Sequence, residues 1–116
     1  MRLIKSFGYA ISGLRLCCKE PNFRIHIFVS LVVIALGALL HIAATEWLVV
    51  LLCMALVLGL EMINTAVEHL CNHLHPGRNP AIAVVKDVCA AAVMLAAFIA
   101  VVCGFIIFLP KLLLHF

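Results

Sequence analysis

Three apolar runs, about Ile25 to Ala44, about Trp47 to Leu70 and about Val84 to Leu109, are each near the roughly 20 residues that a helix needs to cross a bilayer core. Fitting all three into 116 residues leaves little room for anything but a small helical membrane bundle. The hydrophobic share of 67% and the mean hydropathy of +1.29 exclude a soluble globule. The sequence therefore predicts an all-α integral membrane protein made of one domain, residues 1–116.

Ahead of the first run, residues 1–19 place Leu3, Ile4, Phe7, Ala10, Ile11 and Leu14 at helical spacing, with Lys5, Ser6, Ser12, Arg15 and Lys19 between them. This pattern predicts an amphipathic helix lying on the membrane surface. It has no compact apolar core before a small-residue cleavage site, so a cleaved secretory signal is not expected. Pro21 ends the surface helix and biases Glu20 toward an extended conformation, which puts Glu20 at a corner just outside the first span. His73 to Pro80 carries the turn residues that end the second span.

Basic residues set the orientation. Arg2, Lys5, Arg15, Lys19 and Arg24 precede the first span or open it, Arg78 and Lys86 flank the connection between the second and third, and the short connection from His41 to Glu46 has no Lys or Arg. The positive-inside rule then puts the N-terminus and the second connection in the cytoplasm. Nothing in the pattern points to nucleic acid.

Polar residues inside the second run carry the functional signal. Glu61, Asn64 and Glu68 are spaced three and then four apart and form one stripe on a helix. A charge at membrane depth costs roughly 2.5 kcal/mol or more, so such acids mark a functional site by default. Glu61 and Glu68 are separated by roughly 10 Å along the axis, too far to share one ion but well placed for separate tasks. Glu68 paired with Glu20 presents two hard oxygen ligands to a divalent cation, leaving positions for phosphate and water. Glu61, deeper and in apolar surroundings, suits the role of proton acceptor from a lipid hydroxyl. Asn64 can orient a phosphate without adding charge, Lys86 can neutralise a transferring phosphoryl group, and Asp87 can orient Lys86 or hold a nucleotide. The set describes a phosphotransferase at a membrane surface.

Other readings compete. A small oligomeric proton or ion conductor would use Glu61 as its relay, but it leaves Glu20, Lys86 and Asp87 without a task. A regulatory subunit with a degenerate site is a third reading. His69 and His73, with Cys71 and His75 nearby, have a metal-ligand spacing, yet Cys71 falls on another helix face and no second ligand pair exists elsewhere. Trp47 reads as an interfacial anchor. Six cysteines without a Cys-x-x-Cys pair read as reduced packing residues, and Cys17-Cys18 is only a weak lipidation pattern. No phosphate-binding glycine loop of a standard type occurs.

Glu61-x-x-Asn64-Thr65-Ala66-Val67-Glu68, then Lys86-Asp87-x-x-Ala90-Ala91-Ala92-Val93, resembles the small prokaryotic diacylglycerol kinase and undecaprenol kinase family. Gly8-Tyr9, Gly13-Leu14 and Glu20-x-Asn22-Phe23-Arg24-Ile25-His26 are similar to that family's N-terminal elements, so the resemblance covers nearly the whole chain. It implies an ATP-dependent lipid kinase of the bacterial inner membrane, with a surface helix and three spans per subunit, assembled as a homotrimer with composite sites. It also implies Glu61 as general base, Glu20 and Glu68 as ligands for the magnesium of Mg-ATP, and Asn64, Lys86 and Asp87 around the nucleotide. Tyr9, Gly77, Arg78 and Asn79 align with nucleotide-contacting positions. Asn72 stands where the family usually has Asp, and Gly77-Arg78 replaces a usual acidic and aromatic pair, which puts nucleotide contacts there in doubt. The segment Asn22 to His26 looks more like the undecaprenol kinases than the diacylglycerol kinases.

Overall fold

A computed structural model describes residues 1–115. It is all-helical: α1 spans Arg2–Cys17, α2 Pro21–Leu39, α3 Ala44–Leu74 and α4 Pro80–His115. Three of these helices, α2, α3 and α4, are long and apolar enough to cross a membrane. α3 packs most extensively on α4 and next on α2, so it is the central helix of the bundle.

The amphipathic first segment folds as expected of its spacing. Leu3, Ile4 and Phe7 of α1 stay exposed, and only Cys17 at its last turn is buried. A helix so apolar on one face and so little covered by its own chain is suited to a lipid surface. Its end is held from outside. Arg24 Nε donates to the Cys18 carbonyl at 2.7 Å and a terminal guanidinium nitrogen donates to the Lys19 carbonyl at 3.2 Å, satisfying acceptors left by the helix terminus. Glu20 is extended (ψ 127°) ahead of Pro21, which takes the first position of α2, where its missing N–H costs nothing.

The helices do not end where the apolar runs do. α2 stops at Leu39 rather than near Ala44, because His41 adopts φ 52° and reverses the chain. That left-handed conformation is uncommon outside glycine, though histidine tolerates it better than most residues. The Ile42 N–H donates back to the Gly37 carbonyl at 3.2 Å, and buried Ile42 joins Val50, Ile107 and Phe108 in the core cluster. Trp47, beyond the anchoring role its position suggests, is half-buried and lies directly on Gly37. The Glu46 carboxylate accepts the Ala43 N–H at 2.9 Å and an ion pair from Lys111 at 3.1 Å, tying the start of α3 to the end of α4.

α4 starts at Pro80, four residues before the apolar run, because the turn supplies a cap. Asn79 Oδ1 accepts the N–H groups of Ala81 at 2.9 Å and Ile82 at 3.3 Å, and Pro80 follows at the first helical position. The helix also runs past Leu109, with Pro110 inside it. α3, at 31 residues, measures about 46 Å by the standard rise, against a hydrocarbon core of about 30 Å. About a third of it therefore extends past the apolar layer when upright.

Candidate active site

One face of α3 is apolar at one end and polar at the other. Val50, Cys53, Met54 and Val57 occupy it first, and Glu61, Asn64 and Thr65 continue it at the same helical spacing. All three polar residues are buried, Glu61 with only 5% of its surface accessible. Thr65 Oγ1 returns its proton to the Glu61 carbonyl at 3.0 Å, which leaves the Glu61 carboxylate free for other partners. Asn64 Oδ1 is buried without a hydrogen-bond partner, an unusual state that calls for an explanation.

The apolar half of this face lines a groove of about 340 Å³ between α2, α3 and α4. Its wall includes Cys53 and Val57 from α3, Gly104 and Phe108 from α4, and His26 and Ser30 from the first turns of α2. His26 joins the groove to the acid, because its Nε2 lies 3.9 Å from Glu61 Oε2. Ser30 Oγ donates to the His26 carbonyl at 2.8 Å. The C-terminus of α1 reaches the same place. Burial, followed by the neighbouring Cys18, Glu20 and Glu61, pushes the Cys17 thiol above its ordinary range, and this places both carboxylates in its surroundings.

At the end of the bundle where α3 turns into α4, Lys86 Nζ donates to Asn72 Oδ1 at 2.7 Å and bridges α4 to the last turns of α3. Glu68 is half-buried between this bridge and Glu61 along α3. Glu20 holds the capping position of α2 but makes no side-chain capping bond. Among the described residues Glu20 and Glu68 form no hydrogen bond or ion pair with each other, and no three His, Cys, Asp or Glu side chains converge as a metal-binding group. Tyr9, Arg78 and Asp87 are exposed. The Gly77 carbonyl accepts from His75 Nδ1 at 3.2 Å, and Asn79 spends its side-chain oxygen on the α4 cap.

Thus one chain gathers Glu61 and Asn64 on a buried face and fixes Lys86, while Tyr9 and the Gly77 to Asn79 turn remain on the surface. Composition and spacing gave His26 no role, counted Arg24 only as an orienting charge and read Cys17 only as part of a weak lipidation pattern. For His26 a signal existed: a histidine followed four residues later by serine, in the opening turns of an otherwise apolar run.

The family model for prokaryotic diacylglycerol kinase matches residues 8–108, which include every element of this arrangement from α1 to the core end of α4. The chain belongs to that family. An undecaprenol kinase from Bacillus subtilis is 34% identical over 112 residues, covering 96% of this chain and 91% of the relative. A diacylglycerol kinase from Synechocystis sp. is 40% identical over 114 residues, covering 96% of this chain and 65% of that longer relative. Membership makes the chain a membrane-embedded lipid kinase of a family that transfers a phosphoryl group from ATP, rather than an ion conductor.

Proposed function

We propose that this member of the prokaryotic diacylglycerol kinase family phosphorylates the terminal hydroxyl of a membrane lipid at the cytoplasmic face of the inner membrane, with Glu61 as the general base. The observation that carries the reading is the position of Glu61, a buried carboxylate at the polar end of the apolar face that lines the groove. A lipid chain along the groove brings its hydroxyl to the acid, while the nucleotide approaches from the end that holds Lys86. Glu61 takes the hydroxyl proton as the lipid oxygen bonds to the γ-phosphorus, and Lys86 offsets charge on the transferring group. Positioning carries most of the remaining acceleration.

Glu20 and Glu68 would hold the magnesium ion of Mg-ATP. Their carboxylates are hard oxygen donors with no ion-pair partner among the described residues, a donor set that suits a hard divalent cation with open positions for phosphate and water. When bound, the ion neutralises phosphate charge. Asn64, whose buried side-chain oxygen lacks a partner, sits between base and metal ligands and would orient the reacting groups. Asp87, Tyr9, Gly77, Arg78 and the Nδ2 of Asn79 would complete the nucleotide site. A homotrimer with sites shared between subunits is the assembly that the family resemblance implies.

Undecaprenol is the favoured substrate. The support is the segment Asn22 to His26, whose histidine lies 3.9 Å from Glu61, together with the match over 91% of a protein named undecaprenol kinase. Diacylglycerol is the second candidate, supported by the other relative. Phosphate transfer from labelled ATP to each lipid, measured side by side in one detergent, decides between them. Glu61→Gln should abolish turnover with the fold intact; near-normal phosphorylation by that variant would overturn the mechanism.

A further inference from the structure

We infer that His26 is a positioning residue for Glu61 and the acceptor that carries the substrate proton from Glu61 to water. The inference rests on Glu61 being the base. It starts from a problem of that role: a carboxylate that is 6% exposed must lose the captured proton before every new turnover, and no hydroxyl or amine on α3 is bonded to it.

Only His26 makes an ion-pair contact with the Glu61 carboxylate among the described residues. Its side chain is 24% exposed, four times as accessible as that of Glu61, so it is the more open member of the pair. It also lines the groove, so it touches the route along which the hydroxyl would arrive. Imidazole changes charge near neutral pH and can both accept a proton from a carboxylic acid and release it to water. The 3.9 Å separation exceeds a hydrogen bond by about 1 Å, a gap that a side-chain adjustment closes when substrate tightens the site.

The other titratable groups around Glu61 do not serve. Cys17, from α1, has a thiol pushed up by burial and by its acidic neighbours, so it holds its own proton. Glu20, at the start of α2, and Glu68, one helical repeat along α3, are assigned to the cation. From α4, Lys86 is bonded to Asn72 and Asp87 is exposed, and neither makes a hydrogen bond or ion pair with Glu61. In the proposed sequence the lipid O–H bond breaks as the new O–P bond forms and the bond to ADP breaks. The proton goes to Glu61, then to His26 Nε2, then to water, which restores both side chains.

The test compares full-length wild type, His26→Gln, His26→Ala and Glu61→Gln in detergent micelles, with kcat and both KM values measured for each. His26→Gln keeps bulk and hydrogen bonding but cannot relay a proton; its kcat should fall about ten-fold or more with both KM values little changed, in keeping with a lost acid–base step. Added imidazole should restore His26→Ala saturably and leave Glu61→Gln inactive. Failure of imidazole to rescue His26→Ala, or a loss confined to lipid KM, would reduce His26 to a groove-lining residue and overturn the relay alone. Turnover by Glu61→Gln would instead overturn the base and the relay together.

Discussion

Lys86 reaches across from the second turn of α4 and bonds Asn72 Oδ1 at 2.7 Å, so the cation proposed to meet the phosphates is held by a neutral side-chain amide. A neutral amide holds the ammonium less firmly than a carboxylate would, because charge-assisted bonds are roughly twice as strong. Lys86 can therefore leave Asn72 for a phosphate oxygen at small expense.

Asn72→Asp should tighten that bridge and raise KM for Mg-ATP by a few-fold, about what 1 kcal/mol produces. Asn72→Leu should leave Lys86 free and not raise it. Initial rates against ATP concentration at saturating lipid check both, and equal KM values in the two variants would remove Lys86 from the nucleotide site.

Asn79 separates two roles by atom. Its Oδ1 caps α4, and only Nδ2 is available to a ligand. Asn79→Asp should keep the cap and the thermal stability while raising KM for Mg-ATP. Asn79→Ala should lose both, at about 1 kcal/mol for the cap. Melting curves in detergent with parallel kinetics distinguish them.

Gly37 admits no side chain. A Cβ there would lie 2.8 Å from Trp47 Cη2 and 3.1 Å from Ile42 Cδ1, and an indole ring pinned in a helix hairpin has little room to yield. Gly37→Ala should destabilise the bundle by about 1–3 kcal/mol, the range for overpacking. Pairing it with Trp47→Leu should recover part of the loss, a non-additivity visible in thermal unfolding of the double mutant.

Cys17 and Cys18 are adjacent but chemically distinct. Cys18 is exposed, whereas Cys17 is buried and its thiol is pushed up, so less thiolate forms there at any given pH. With the remaining cysteines replaced, maleimide at neutral pH should label Cys18 about ten-fold faster or more. Peptide mass spectrometry reads the ratio. Equal rates would mean that the end of α1 is not docked beside Glu20 and Glu61.

Much of the site was legible in the chain. Glu61, Asn64 and Glu68 declare themselves by spacing within one helix, and the structure buries Glu61 and Asn64 as that stripe requires. The corner at Glu20 follows from Pro21, and α2 does begin at that proline. The α4 cap at Asn79 is written in the Asn-Pro pair, since Asn is a favoured capping residue and Pro a favoured first helical residue. The end of α2 was not legible, because nothing local in the apolar run announces that His41 will turn left-handed.

Periodicity and composition by themselves determined the membrane class, the three spans and the acid stripe on α3, because these depend only on side-chain polarity and on the fixed geometry of a helix. The tertiary structure alone decided that His26 meets Glu61, that Asn72 meets Lys86 and that Trp47 covers Gly37. Helices that are apolar nearly all round carry no stripe to fix their rotation against a neighbour. Which residue of α2 or α4 faces α3 is therefore set by packing between helices, and those interhelical contacts are what turn a row of acids into a site.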